Sequence, residues 1–147
     1  MNLYLEPSGL AKPYLGEADA YLVRAAVEAA DVVGTSVLSL AEVMSSVFRA
    51  QRSGTITGDQ AASIAEVFTQ DWVHYFRIAV QDETVVLASS LIQKWPLRGF
   101  DAVHLASALS WQTMTGEGVV FMSFDRQLRT AADGERLWLL PEGHQLS

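Results

Sequence analysis

The chain has 147 residues, half of them hydrophobic, which is one domain's length with enough apolar material for a sizeable core and too much for disorder. Ten lysines and arginines face seventeen aspartates and glutamates, a formal net charge of −7. That balance excludes gripping a polyanion over a broad basic face, but not a local site where clustered acids are neutralised by cations. With no cysteine, disulfides and thiolate metal sites are ruled out.

No apolar run approaches the roughly 20 residues needed to span a bilayer. Met1-Asn-Leu-Tyr-Leu-Glu6 lacks the basic start of a signal peptide and breaks its apolar run with an acid. The expectation is a cytoplasmic protein folded as a single domain over residues 1–147, with no membrane segment.

Leu3-Tyr4-Leu5 predicts a short buried strand ended by Glu6. Pro7 and Gly9 predict a turn, with Ser8 placed to cap the segment 9–14. Residues 17–30 are alanine-rich, with Tyr21, Leu22, Ala25, Ala26 and Ala29 at helical spacing. Asp31 and Gly34 bracket a second strand at Val32-Val33. A helix is expected from Thr35-Ser36 to about Arg52, its apolar face formed by Leu40, Val43, Met44, Val47 and Phe48. Ser53-Gly54 stops it, and the capping-box pattern of Thr57 and Gln60 opens a third helix to about Gln70.

The aromatic and β-branched run from Trp72 to Val80 predicts a strand, and a helix from about Asp82 to Gln93 follows. Residues 95–99 form the loop before a central apolar helix, 101–114, closed by Gly116 and Gly118. Val119 to Met122 is a buried strand, Asp125 to Ala132 a short helix, and Arg136 to Leu140 the last strand, ended by Pro141. The polar tail beyond Pro141 is expected to be loose. Tryptophan and phenylalanine are assigned to the core. Alternating strands and helices predict an α/β fold, a parallel sheet covered on both faces.

Four acids stand at comparable places in this pattern. Glu6 directly follows the first strand, Asp125 comes soon after the strand at 119–122, Asp101 begins the central helix, and Glu42 lies one to two turns into the helix after the second strand. In open parallel sheets ligands bind beyond the carboxyl ends of the strands. Carboxylates held close repel, and a cation or proton relieves the repulsion. Oxygen donors without a His or Cys cluster favour Mg²⁺ or Mn²⁺ over zinc. Each acid also has a local explanation. Asp101 and Asp125 make good N-caps, Ser39-x-x-Glu42 fits a capping box, and Glu6 fits a solvated turn. His104 has no second His or Cys at metal spacing and is read as a packed helix residue.

Four segments, in this order, resemble the PIN-domain family and specifically its VapC-type toxins. They are Tyr4-Leu-Glu-Pro-Ser-Gly-Leu-Ala-Lys-Pro-Tyr14, Thr35-Ser-Val-Leu-Ser-Leu-Ala-Glu-Val43, Arg98-Gly-Phe-Asp-Ala-Val-His-Leu-Ala106 and Met122-Ser-Phe-Asp-Arg-Gln-Leu128. The resemblance spans nearly the whole chain. It implies a three-layer α/β/α sandwich with a central, mainly parallel sheet. It also implies a Mg²⁺- or Mn²⁺-dependent endoribonuclease acting on RNA as a homodimer, restrained by a cognate VapB-type antitoxin.

By the same resemblance Glu6, Glu42, Asp101 and Asp125 are the expected metal ligands. Glu42, Asp101, Asp125, Ser8 and Ser123 form the expected catalytic set, the two serines orienting water or carboxylates. Lys12, Arg98 and Arg126 are candidate phosphate contacts. One departure stands out: Glu6 occupies the place where the family has aspartate, followed by Pro7 and Ser8. Its extra methylene moves the carboxylate oxygens by roughly one carbon–carbon bond. The alternative expectation is therefore a catalytically impaired PIN-like binding module acting through a protein partner. A phosphatase-like metal hydrolase is a third reading, with no Asp-x-Asp pair near the first strand to support it.

Overall fold

A computed structural model describes residues 1–143. Strand β1 (Asn2–Leu5) is buried along its whole length, as befits an apolar run in the middle of a parallel sheet. Helices α1 (Pro7–Leu10), α2 (Lys12–Leu15) and α3 (Ala20–Ala29) follow. Strand β2 (Val32–Ser36) leads into α4 (Ser39–Arg52) and α5 (Gly58–Trp72). Then come β3 (Phe76–Ile78), α6 (Asp82–Lys94), α7 (Gly99–Thr115), β4 (Val119–Met122), α8 (Arg126–Gly134) and β5 (Trp138–Leu140). The strands form one parallel sheet in the order β3-β2-β1-β4-β5, so the α/β reading holds.

The alternation of side chains along the strands divides the core in two. Leu3 and Leu5 of β1 pack with Val23, Val43, Val47 and Phe68 from α3, α4 and α5. Tyr4 points to the other face, with Leu105 of α7, Phe121 of β4 and Leu128 of α8. The Tyr4 and Phe121 rings stack with centroids 5.4 Å apart. Seven consecutive residues of α7, Ala102 to Ala108, are buried, so this stretch of the helix is enclosed on all sides. It approaches the sheet closely at Gly34, where a Cβ would lie 2.7 Å from the Trp111 ring; a side chain there would force that ring away.

The predicted capping box forms as expected. Gln60 N–H donates to Thr57 Oγ1 at 3.1 Å, and Thr57 N–H donates to Gln60 Oε1 at 2.8 Å. Five local expectations change. Thr35 and Ser36 end β2 instead of opening α4, because Ser36 pairs with Ile78 and the Thr35 hydroxyl donates to the Leu5 carbonyl at 2.6 Å. The Ser39–Glu42 capping box does not form, since Ser39 is the first residue of α4, after Leu38 at the cap position, and its buried hydroxyl meets that of Thr35 at 2.6 Å.

The aromatic run at 72–80 is not one strand. Trp72, one turn beyond Phe68, extends α5 so that both rings join Tyr75 in a cluster, with centroids 5.9 and 6.2 Å from Trp72. Only Phe76–Ile78 then reaches the sheet. Arg136 has φ 67°, a turn residue after α8, so the last strand starts at Trp138. Not every large ring is core: Phe100 and Trp138 are 64% and 74% exposed. The expected loose tail falls largely on residues 144–147, which lie outside the described residues. Among the described residues no helix is long and apolar enough to cross a membrane.

Candidate metal and nucleic-acid site

The strand order turns back at β1, which lies between β2 and β4, and such a switch point opens a crevice at the carboxyl ends of the strands. Glu6 leaves β1 at that end, Glu42 sits in the first turn of α4, Asp101 in the first turn of α7, and Asp125 caps α8 just past β4. All four line one cleft of about 970 Å³.

Glu6 is buried, and the hydroxyls of Ser8 and Ser123 both donate to its Oε2, the Ser123 bond at 2.9 Å. Each hydroxyl also accepts a backbone N–H, Ser8 from Phe124 at 3.0 Å and Ser123 from Asp125 at 3.1 Å. Those amides can only donate, so both hydroxyl protons turn to Glu6, and the two serines tie the end of β1 to the loop after β4. Burial pushes the Glu6 carboxyl above its ordinary value, against the pull of Ser8, His104 and Ser123.

The local readings of the other three acids separate here. Asp125 is an N-cap, its Oδ1 accepting from Leu128 N–H at 2.8 Å. Asp101 is not, because α7 begins at Gly99 and no side-chain cap bond forms. Its carboxyl faces the cleft instead. Burial raises its pKa, and the charges of Asp125 and Glu42 raise it further, with His104 and Arg98 opposing. Glu42 Oε1 lies 2.6 Å from Nε2 of His104.

Among the described residues, no three His, Cys, Asp or Glu side chains form a ready ligand cage. Glu6, Glu42 and Asp125 each lean on a protein hydrogen-bond partner instead. The cleft nevertheless presents four carboxyl groups and the hydroxyls of Ser8, Ser45 and Ser46, and Asp125 and Glu42 both repel Asp101. That set suits a hard divalent cation such as Mg²⁺ or Mn²⁺.

The PIN domain matches this sequence over residues 8–134. The chain belongs to the PIN-domain family. Ribonuclease VapC49 of Mycobacterium tuberculosis is 28% identical to it over 130 residues, 88% of each protein. Among solved structures, a toxin–antitoxin complex from Klebsiella pneumoniae aligns with a TM-score of 0.64 at 15% identity, over 85% of this chain and 88% of that one. FitAcB from Neisseria gonorrhoeae aligns with a TM-score of 0.66 at 13% identity, over 93% of this chain and 95% of that one. These two likenesses show the shared PIN fold.

The sequence reading missed one residue of this PIN-domain cleft and the polar contacts of one buried behind it. Arg49 lines it alongside Arg98, and a signal existed: Glu42, Ser45, Ser46 and Arg49 fall at i, i+3, i+4 and i+7 on one helix face. His104 is packed, as expected, yet both ring nitrogens have polar partners. Lys12 is engaged elsewhere, paired with Glu17 at 2.9 Å and lying over the Phe124 ring.

A pH dependence follows from the two raised carboxyls. Their unfolded-state values sit near the ordinary 4.5 and 3.8, and the folded values lie above them. The folded state thus holds these protons more tightly, a stabilisation fully present below the unfolded values and lost as pH rises through the folded ones. In chelator, the contribution of these two carboxyls to the Tm of the metal-free protein should grow as pH falls from neutral towards their ordinary values. Saturating Mn²⁺ should cancel that trend, stabilising by about 2.7 kcal/mol at 100 times Kd. Thermal melts with and without chelator check it; a Tm that falls steadily over that range in chelator contradicts the assignment.

Proposed function

We propose that this PIN domain, spanning residues 1–147 as one unit, is a Mg²⁺- or Mn²⁺-dependent endoribonuclease toxin of a toxin–antitoxin pair. It would act in the cytoplasm as a homodimer, restrained by a VapB-type antitoxin. One observation carries the reading: a single cleft lined by Glu6, Glu42, Asp101 and Asp125, with Arg49 and Arg98 beside them. The similarity to VapC ribonucleases supports it.

In this reading the four carboxylates hold the ion. When bound, a divalent ion supplies activation of water and stabilisation of charge on the phosphoryl group. Asp101 contributes most directly, because its carboxyl is not tied to the helix N-terminus. Ser8 and Ser123 hold the longer Glu6 side chain in one orientation. Arg49 and Arg98 meet the phosphates of the RNA strand, since guanidinium groups suit forked contacts to phosphate oxygens. With a net charge of −7 the chain offers no broad basic face, so these two arginines carry the contact to the strand.

A second reading, a binding module without catalysis, draws on the Glu6 environment. Burial favours the neutral carboxyl there, and a neutral Glu6 holds no cation. One experiment separates the two. The purified protein is incubated with tRNA and ribosomal RNA in Mg²⁺, in Mn²⁺ and in EDTA. Fragments in either metal and none in EDTA are expected. Cleavage that ignores EDTA refutes the metal assignment. No cleavage by the parent or by Glu6→Asp, with a stable antitoxin complex, favours the binding module.

A further inference from the structure

A line of buried polar groups runs from the middle of the sheet to the cleft. Tyr4 on β1 and His104 on α7 are both completely buried. The Tyr4 hydroxyl lies 2.7 Å from Nδ1 of His104, and Nε2 on the far side of the ring lies 2.6 Å from Glu42 Oε1. The carboxylate of Glu42 can only accept, so Nε2 carries the hydrogen of that bond. In the neutral imidazole the other nitrogen, Nδ1, then accepts from the Tyr4 hydroxyl. The direction of both bonds follows from the carboxylate end of the chain.

Packing alone does not call for this arrangement. An apolar side chain at 104 would fill the space without two ring nitrogens to satisfy. Only Glu42 in the chain reaches the cleft, its side chain 29% exposed. The other acids have their own supports: two serines for Glu6, the Leu128 amide for Asp125, and a short side chain for Asp101. Glu42 has three rotatable bonds, and His104 is what holds it.

We propose that His104 is a positioning residue for Glu42: it takes one carboxylate oxygen, leaving the other to present to a divalent ion, and Tyr4 supports the tautomer that makes it a donor. The proposal rests on Glu42 being a ligand of that ion. Partners of this kind, one step removed from a metal, typically alter its affinity by about 10–100-fold when removed.

The test is the Mn²⁺ affinity of the metal-free protein, read by electron paramagnetic resonance titration at a temperature where circular dichroism shows each variant folded. His104→Leu should bind Mn²⁺ about 10–100-fold more weakly. His104→Gln, whose amide returns an N–H near the Nε2 position, should recover most of that loss, and Tyr4→Phe should fall in between. Nitrogen-15 spectra of the parent should show the His104 ring protonated at Nε2. If Glu42→Gln weakens Mn²⁺ binding and His104→Leu does not, the positioning role is overturned while the Glu42 assignment stands. If neither weakens it, both fall. Should His104→Leu not fold, parent-like affinity in Tyr4→Phe together with a ring protonated at Nδ1 overturns the proposal.

Discussion

Asp101→Asn is expected to lower metal-dependent RNA cleavage by about 100-fold or more, above the upper end for residues one step removed from a metal. The substitution keeps the shape and removes one charge. Among the four cleft acids, Asp101 is the one with neither a side-chain cap bond nor a serine or imidazole support, so its carboxyl is the most available to a cation. The loss should come without instability. Desolvation and the neighbouring charges of Asp125 and Glu42 already disfavour the ionised form, so a neutral amide relieves repulsion. Initial cleavage rates in Mn²⁺ and thermal melts in EDTA check the two halves. Cleavage at the parent rate removes Asp101 from the site. A large drop in the metal-free Tm would show that Asp101 supports the fold instead.

The second large effect is on stability. Phe121→Ala should destabilise the protein by about 3–5 kcal/mol, the range for deleting a buried aromatic ring. Phe121 is fully buried on β4, and its partner across the strand boundary is Tyr4, stacked at 5.4 Å. Tyr4 cannot slide into the vacated volume without breaking its 2.7 Å contact to His104, so the cavity stays open. Phe100→Ala supplies the control. That ring is 64% exposed at the mouth of the cleft, and its removal should change stability by no more than about 0.5 kcal/mol. Denaturant unfolding of both variants gives the comparison. Near-equal losses would mean that the buried layer through Tyr4 and Phe121 is not packed as described.

Much of this protein could be read without coordinates wherever a local pattern carried the physics. Strand β1 announced itself as an apolar run, α5 by its reciprocal Thr57–Gln60 cap, and the parallel sheet by alternation of elements. Placement of Glu6, Asp101 and Asp125 near element boundaries was likewise visible, whereas Glu42 moved into the first turn of α4 once Thr35 and Ser36 joined β2. The aromatic run 72–80 misled because β propensity and helical packing use the same residues. Which one prevails depends on where Phe68 and Tyr75 lie, and that is a tertiary matter.

Only the folded chain decided how each acid is held. Whether an aspartate caps a helix turns on a shift of two residues in the helix start, which made Asp125 a cap and Asp101 a cleft group. The link from Tyr4 through His104 to Glu42 joins residues 100 and 62 positions apart. Sequence alone determined which side chains have the right chemistry and on which elements they ride, because those depend on neighbours along the chain. Their mutual orientation depends on packing between α4, α7 and the sheet, which no local pattern encodes.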